Sequence, residues 1–335
     1  MSIGSDVYYT HKDGAYVAAD EGDFLPFSWF EVVSKVLLQV VLNIPSFVKD
    51  FIHAYIWAPK KSISGCVALV SGGGNGFGRA LCLSFAQEGC KVAVADIDEK
   101  GAIRTASEIR KLGMQAVAFY VDVSDLKSVR QLRKEVELKL GYVDILVNNA
   151  GLLVDAKISD GADEDVRRII DVNLTSHYWM IREFKPAMIK RNSGHIVGIS
   201  SILGFYGTFR TNSYCATKFG VRGMMESLNE ELYFNGQDEK LFATCVYPSL
   251  IATRKDLMKT AKDMGILMET MYPEQAASIV VKGILQNKRE IILGSFLVRL
   301  VIKLYVFLPI RLRHITTSCI IGDASRSSRL TNGVE

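Results

Sequence analysis

Short apolar runs, separated by segments with helical periodicity, constrain the fold of this chain more than any other feature of its sequence. The runs span residues 66–71, 91–96, 115–121, 143–147, 195–200 and 241–247, with a weaker seventh at 290–293. Runs of this length without polar alternation indicate strands that are buried on both faces. Helical patterns lie between them, at 78–88, 98–112, 124–140, 163–190 and 213–235. Strands alternating with helices through right-handed crossovers predict an α/β fold, a doubly wound parallel sheet of the Rossmann type in a single domain.

Composition divides the chain into four parts. We expect a mobile polar tail at 1–23, a hydrophobic membrane-associating segment at 24–58, the Rossmann-type domain at 62–293, and an apolar amphipathic segment with a polar tail at 294–335.

With 23% charged and 49% hydrophobic residues, the chain is expected to be globular. Its net charge of +4, without a basic stripe, predicts no nucleic-acid partner. The six cysteines form no CxxC pair and have no histidine at metal-ligand spacing, so neither a metal site nor a disulfide framework is predicted.

A glycine-rich loop follows the first predicted strand and opens the first helix. Its sequence is Ser71-Gly72-Gly73-Gly74-Asn75-Gly76-Phe77-Gly78. Glycines at 72, 76 and 78 allow a tight turn and a close approach to a pyrophosphate, which the helix N-terminus then binds. In a nucleoside triphosphatase the loop would continue with Lys and Ser or Thr, whereas this chain has Arg79-Ala80. The loop therefore predicts a dinucleotide site.

The acid that ends the second strand indicates which dinucleotide binds. Asp96 lies about twenty residues beyond the glycines, where a carboxylate can bind the adenosine ribose hydroxyls. Its charge repels a 2′-phosphate, the glycine loop has no basic residue before Gly78, and Ile97 follows the acid. NAD is therefore favoured over NADP. The alternative role, a helix N-cap, suits Asp98 better.

Tyr214 and Lys218 lie four residues apart on one face of a predicted helix. A free tyrosine has a pKa of about 10 and is a poor base at neutral pH. A neighbouring ammonium favours the phenolate and should lower that pKa. The spacing by itself is common on helices, so its meaning depends on the rest of the sequence.

Over residues 65–293 the chain resembles the short-chain dehydrogenase/reductase family. The matching positions occur in the family's order and spacing: Gly72, Gly76, Gly78, Asp122-Val123, Asn148-Asn149-Ala150-Gly151, Asn173, Ser200-Ser201, Tyr214-Cys215-Ala216-Thr217-Lys218 and Pro248. The resemblance implies a catalytic tetrad. Tyr214 would exchange the proton of the substrate hydroxyl, and Ser201, rather than Ser200, would hold the substrate oxygen. Lys218 would bind the nicotinamide ribose and tune Tyr214, and Asn173 would hold a water that links Lys218 to solvent.

The resemblance also implies the residues that bind the cofactor. Asp122 would bind the adenine amino group with Val123 beneath the ring, Asn149 would support the central strand, and Thr253 would bind the nicotinamide carboxamide. Ser249 replaces a common glycine, which weakens the Thr253 assignment. The full expected set is Gly72, Asn75, Gly76, Phe77, Gly78, Asp96, Asp122, Val123, Asn149, Ala150, Gly151, Tyr214, Lys218, Pro248 and Thr253.

Two segments outside the core indicate a membrane surface. Within 32–48 the sequence is apolar, and Glu31, Lys35, Gln39 and Asn43 recur every fourth residue, which places them in one polar stripe on a helix. The stretch is shorter than a comfortable span, so it predicts an interfacial helix or hairpin, or a marginal anchor; a helix packed on the protein's own core is the alternative. On a second apolar helix, expected to run to Pro309, Arg299 and Lys303 are also four apart. These features predict the endoplasmic reticulum membrane or a lipid droplet, with the catalytic domain facing the cytosol.

The methionine-rich segment at 257–271 corresponds to the substrate lid of the family. Methionines form an adaptable apolar wall, so the expected substrate is a lipophilic alcohol or its carbonyl. With its apolar ends, the chain is similar to the membrane-bound retinol and 17β-hydroxysteroid dehydrogenases. A non-catalytic lipid-surface protein that binds NAD is the alternative function, against which the complete tetrad argues. A homodimer is one open arrangement, since the sequence does not define the oligomeric state.

Overall fold

A computed structural model describes residues 9–12, 15–18, 29–45, 48, 60–153, 162–253, 269–305 and 307–321. The chain divides into two compact units, 1–59 and 60–335. Parts of several predicted segments lie outside the described residues. They are most of the polar tail, most of 46–58, most of the methionine-rich segment, and the C-terminal tail from 322.

The first unit contains a hairpin and a helix. Strands β1 (Tyr9–Lys12) and β2 (Ala15–Ala18) pair antiparallel within the segment that the sequence predicts to be a polar tail. The sequence carried a signal for them, because Asp-Gly at 13–14 is a strongly favoured hairpin dipeptide. Helix α1 (Trp29–Leu42) follows. Among the described residues no helix is both long and apolar enough to cross a membrane.

The second unit is built on a seven-stranded sheet in which every neighbouring pair of strands is parallel. The strands are β3 (Val67–Ser71), β4 (Lys91–Asp96), β5 (Ala116–Tyr120), β6 (Ile145–Asn148), β7 (Gly194–Ile199), β8 (Leu241–Tyr247) and β11 (Glu290–Ile292). Their spatial order is β11-β8-β7-β6-β3-β4-β5. All seven predicted strands are confirmed, and so is the doubly wound α/β fold.

Helices cover both faces of the sheet. They are α2 (Gly76–Gln87), α3 (Glu99–Lys111), α4 (Leu126–Lys139), α5 (Asp163–Ile170), α6 (Ser176–Arg191), α7 (Asn212–Phe234), α8 (Pro273–Leu285), α9 (Phe296–Tyr305) and α10 (Ile310–Ile321). In β3, Ala68 and Val70 pack with α2, α3 and α8, whereas Val67 and Leu69 pack with α4, α6 and α7. This alternation buries both faces of the central strand. The strand order reverses between β3 and β6, and such a switch point is where doubly wound sheets bind ligands.

The helical predictions need three corrections. The helix predicted at 163–190 is interrupted, because a π-helical turn (Asp171–Thr175) separates α5 from α6. The last apolar helix ends at Tyr305, before Pro309, and α10 forms a separate helix. Helix α8 and the short parallel pair β9 (Leu250–Ile251) and β10 (Thr270–Met271) were not predicted.

Candidate active site

The glycine-rich loop has a shape that only glycine permits at three positions. Gly72 and Gly76 have φ of +66° and +54°, in the left-handed region that favours glycine. A Cβ on Gly78 would lie 1.9 Å from the Gly72 carbonyl oxygen, and one on Gly76 would lie 3.2 Å from the Thr253 side chain. Asn75 directly precedes α2, and Phe77 is buried in its first turn. The loop thus forms a cradle at a helix N-terminus, which suits a pyrophosphate.

Ser71 and Asn149 brace this loop across the switch point. The Ser71 hydroxyl accepts hydrogen bonds from the backbone N–H groups of Asn149 (3.1 Å) and Ala150 (3.2 Å). The Asn149 amide donates in return to the carbonyls of Ser71 (3.0 Å) and Gly72 (3.1 Å). These bonds hold β3 against the turn after β6, where the predicted Ala150 and Gly151 lie.

Asp96 lies at the carboxyl end of β4 and organises the same loop. Its Oδ2 accepts the Gly74 N–H at 2.8 Å and its Oδ1 accepts the Asp98 N–H at 2.9 Å. Each carboxylate oxygen has two lone pairs, so both retain acceptor capacity for a ribose hydroxyl. Asp98 occupies the N-cap position of α3, as expected.

The residues predicted to bind adenine lie at the end of the next strand. Asp122 follows β5, and its Oδ1 accepts hydrogen bonds from the Ser124 N–H (3.0 Å) and hydroxyl (2.6 Å). Val123 is buried beside it. Because parallel strands end at one edge of the sheet, Asp96 and Asp122 share that edge with the glycine loop.

Asn173 is buried within the π-helical turn, and its amide is fully engaged. Its Oδ1 accepts the Leu152 N–H at 2.7 Å, and its Nδ2 donates to the Leu152 carbonyl at 2.8 Å and to the Thr217 hydroxyl at 3.3 Å. The side chain therefore fixes the segment after Gly151 to α7. The water-holding role of Asn173 stays a prediction. A π-turn often marks a functional site, because it displaces one residue from the regular helix.

Lys218 is buried and lies close to the same turn. Its Nζ donates to the Ile199 carbonyl at 2.9 Å and lies 5.5 Å from the centroid of the Tyr214 ring. A Cβ on Gly151 would lie 3.4 Å from Asn173 Oδ1 and 3.7 Å from Lys218 Nζ, so Gly151 faces both groups. Burial lowers the Lys218 pKa to about 8.

Tyr214 and Ser201 complete the cluster. Part of Tyr214 is accessible, but protein atoms surround its hydroxyl, and burial raises the Tyr214 pKa to about 12. A hydrogen bond with Ser201 acts in the opposite direction. Burial is the larger effect, so the Tyr214 pKa is shifted upward, in the direction opposite to the one that the spacing to Lys218 predicts. The four tetrad residues nevertheless lie together, at the carboxyl edge of the sheet.

The segment after β8 contacts Ser201 and the glycine-rich loop. The Pro248 carbonyl accepts hydrogen bonds from the Ile202 N–H (3.0 Å) and the Ser201 hydroxyl (3.4 Å). The Ser249 hydroxyl donates to the Glu269 carbonyl at 3.1 Å, while β9 pairs with β10. These contacts connect residues 249–251 to residues 269–271, and Thr253 lies beside Gly76 in the cradle.

Sequence reasoning missed one buried polar residue next to this site. His177 follows Asn173 by one helical turn. The i to i+4 spacing from Asn173 was the available signal for His177.

Comparison with known proteins decides the family. Residues 66–263, more than half of the chain, match the short chain dehydrogenase family. The chain belongs to the short-chain dehydrogenase family. It is therefore an oxidoreductase that acts on CH–OH donors.

Similar family members include hydroxysteroid dehydrogenases. Human 17-beta-hydroxysteroid dehydrogenase 13 is 30% identical over 84% of this chain and 91% of its own length. Mouse estradiol 17-beta-dehydrogenase 11 is 32% identical over 78% of this chain and 87% of its own.

Solved structures agree with the fold. A short chain dehydrogenase/reductase from Burkholderia phymatum in complex with NAD has a TM-score of 0.66 at 22% identity, covering 73% of this chain and 94% of that chain. A metagenomic short-chain oxidoreductase in complex with NADP has a TM-score of 0.58 at 26% identity, covering 70% and 98%.

Proposed function

We propose that this enzyme interconverts a lipophilic alcohol and its carbonyl, with Tyr214 as the acid/base. The observation that carries the proposal is the hydrogen-bonded Ser201–Tyr214 pair beside the buried Lys218, at the switch point of the sheet. A non-catalytic protein that only binds NAD on a lipid surface would not need this arrangement.

The residues divide the chemistry between them. The Ser201 hydroxyl orients the substrate oxygen, and Tyr214 takes the hydroxyl proton during oxidation or returns it during reduction. The charged Lys218 stabilises the phenolate while it exists. Gly72, Gly76 and Gly78 would hold the pyrophosphate of a nicotinamide dinucleotide, which supplies the hydride acceptor or donor when bound. The raised Tyr214 pKa means that the phenolate needs this positive surrounding to form at neutral pH.

NAD is the proposed cofactor, in preference to NADP. Asp96 ends β4 beside the loop and places a carboxylate where the adenosine ribose is expected. Relatives of known structure bind either dinucleotide, so the preference rests on the charge of Asp96.

The proposed substrates are hydroxysteroids, retinol and long-chain alcohols. Two similar proteins are named as dehydrogenases of 17-beta-hydroxysteroids or estradiol. The methionine-rich segment at 257–271 supports an apolar wall, although most of it lies outside the described residues.

The proposed location is the cytosolic face of the endoplasmic reticulum or a lipid droplet. On α1, exposed apolar residues include Val36, Leu37 and Leu42, and on α9 they include Leu297 and Leu304. Exposed apolar side chains grouped on a helix favour a lipid interface. Arg299 caps the Gly294 carbonyl at 2.9 Å and Lys303 pairs with Glu290 at 3.2 Å, so their positive charges are fixed near α9.

We also propose a homodimer. Tyr178, Ile189 and Phe219 leave exposed apolar surface on α6 and α7. Light scattering that shows a monomer at micromolar concentration would contradict this proposal.

A screen of retinoids, steroids and long-chain alcohols with NAD and NADP tests the reaction.

Tyr214→Phe should lower turnover by about 10²–10⁴-fold, because general acid/base catalysis is lost, while NADH binding changes little. Tyr233→Phe is the matched control, since Tyr233 lies exposed on the same helix. Turnover by Tyr214→Phe within tenfold of the wild type would remove Tyr214 from the mechanism.

Fractionation and protease protection test the location. Full-length protein should sediment with membranes or float with droplets, and a chain beginning near residue 59 should move toward the soluble fraction, because it lacks α1. That shift should be incomplete, since the apolar face of α9 remains. Full-length protein found wholly in the soluble fraction would contradict membrane association, and a protease-shielded catalytic domain in sealed microsomes would reverse the proposed orientation.

A further inference from the structure

Arg104 is a basic side chain of α3 that lies against the glycine-rich loop. Its Nη2 atom lies 3.5 Å from Asn75 Oδ1 and 3.4 Å from Asp98 Oδ2. In the sequence it follows Asp96 by eight residues, beyond the loop and the position after the acid on which the prediction of NAD depends. The fold therefore brings a positive charge to the loop that the sequence pattern did not place there.

The first turns of α3 pack directly on the loop and on Asp96. The Thr105 hydroxyl donates to the Gly74 carbonyl at 3.1 Å, and the Gly74 N–H donates to Asp96 Oδ2 at 2.8 Å. A Cβ on Gly74 would lie 2.9 Å from the same Asp96 oxygen and 3.0 Å from the Ala102 backbone nitrogen. A single loop residue thus joins the Asp96 carboxylate to the helical turn that carries Arg104.

Asp98 provides a second connection between Arg104 and Asp96. The Asp98 N–H donates to Asp96 Oδ1 at 2.9 Å. The Asp98 Oδ2 accepts a hydrogen bond from Asn75 Nδ2 at 3.0 Å and also contacts the Arg104 guanidinium. The guanidinium is therefore linked to the Asp96 carboxylate through Asp98 as well as through the loop.

The contacts that hold Arg104 are long and lie in solvent. The side chains of Arg104 and Asp98 are 64% and 44% exposed. Exposed ion pairs contribute little free energy, because water screens the charges and two side chains must be ordered. A phosphate is a stronger partner, because it carries more charge and accepts two parallel hydrogen bonds from one guanidinium. The guanidinium can therefore leave Asp98 for a phosphate that binds beside Asp96.

A phosphate beside Asp96 distinguishes NADP from NAD. The adenosine ribose is expected at the Asp96 carboxylate, and NADP carries a phosphate on the 2′ oxygen of that ribose. We propose that Arg104 is a specificity-determining residue that binds this 2′-phosphate and thereby opposes the repulsion by Asp96, while Asp98 holds the guanidinium when NAD is bound. The inference rests on the proposed function, in which Asp96 binds the ribose. It makes the preference for NAD a balance between two charges.

Fluorescence titration of the full-length protein with NADPH and with NADH tests this role without a substrate. The measured quantity is the ratio of the dissociation constant for NADPH to that for NADH. Arg104→Gln removes the charge from an exposed side chain, so the ratio should rise about tenfold, as expected for the loss of one charge-assisted contact with a phosphate.

Lys111→Gln is the matched control for Arg104→Gln. It removes another exposed positive charge from the last turn of α3, about 10 Å further along the helix. Salt screens a charge at that distance, so the ratio should change by less than about twofold. A ratio within twofold of wild type in Arg104→Gln, or an equal rise in Lys111→Gln, would overturn the role of Arg104.

Asp98→Asn tests the competition for the guanidinium. Asparagine keeps a good N-cap residue of similar size but lacks the charge that holds Arg104. The ratio should fall about threefold in this variant, and by less than about 1.5-fold when Arg104→Gln is also present. Equal falls in both backgrounds would show that Asp98 acts through its own charge alone, and would overturn the competition.

Failure of the proposed NAD preference gives a different result. If NADPH already binds more tightly than NADH to the wild-type protein, the preference assigned to Asp96 is at fault. The change of the ratio in Arg104→Gln still decides the role of Arg104 in that case, because it compares the variant with the wild type.

Discussion

Replacing Gly78 by alanine tests whether the loop after β3 is a cofactor cradle. The change adds one methyl group inside α2, where alanine would ordinarily stabilise a helix by about 1 kcal/mol. At this position the new Cβ would lie 1.9 Å from the Gly72 carbonyl oxygen and 2.6 Å from Asn149 Nδ2. Contacts under 3.0 Å do not persist, so the start of α2 and the end of β3 must separate by about 1 Å.

The expected loss of unfolding free energy in Gly78→Ala follows from the contacts that such a separation disturbs. Overpacking of this kind costs about 1–3 kcal/mol, and loss of the 3.1 Å bond from Asn149 to the Gly72 carbonyl costs about 1 kcal/mol more. After the helix gain is subtracted, we expect a net loss of about 1–3 kcal/mol in unfolding free energy. Backbone N–H groups that move away from a pyrophosphate lose charge-assisted hydrogen bonds, so NADH affinity should fall by about tenfold or more.

Gly223→Ala is the matched control for this experiment. Gly223 is also helical, within α7, and a Cβ there meets nothing within 4 Å. It should leave NADH binding unchanged and raise thermal stability slightly. Fluorescence titration with NADH and thermal unfolding measure both effects. NADH affinity within twofold of wild type in Gly78→Ala would show that the steric argument, and with it the assignment of the cradle, is incorrect.

Two further predictions concern Asp96 and the buried histidines. Asp96→Ser should weaken NAD binding by about tenfold and strengthen NADP binding, because it removes both the charge at the ribose and the acceptor of the Gly74 N–H. A wild-type enzyme that already prefers NADP would contradict this prediction. The stability contributed by the neutral His177 and His195 should be present above the unfolded histidine pKa of about 6.5 and should fall toward pH 5, because burial lowers both pKa values in the folded state and the unfolded chain binds protons first. For His177, with a pKa of about 3, the loss at pH 5 is about 2 kcal/mol, and His177→Gln should remove that part of the pH dependence in urea unfolding.

The sequence determined the sheet and the glycine-rich loop, and it is also the source of the proposed tetrad residues. Strands such as β3 and β4 are buried on both faces, and such burial requires continuous apolar runs. These runs can be recognised in the sequence without knowing which elements pack against them. Gly72 and Gly76 are required by local backbone geometry, and Gly78 by a contact within the same short loop. Properties fixed by residues close in sequence could therefore be predicted.

Tertiary structure alone decided what depends on distant partners. Asn173 in the π-turn forms hydrogen bonds to Leu152, twenty-one residues earlier in the chain. Helical periodicity does not contain this distant contact, and it therefore predicted one continuous helix there. The Tyr214 pKa is raised because the fold buries its hydroxyl, an effect that the four-residue spacing to Lys218 does not contain. The burial of His177 without a hydrogen-bond partner among the described residues became visible only in the packed structure. Burial and hydrogen-bond satisfaction are properties of the packed chain, because each depends on every element that surrounds the group.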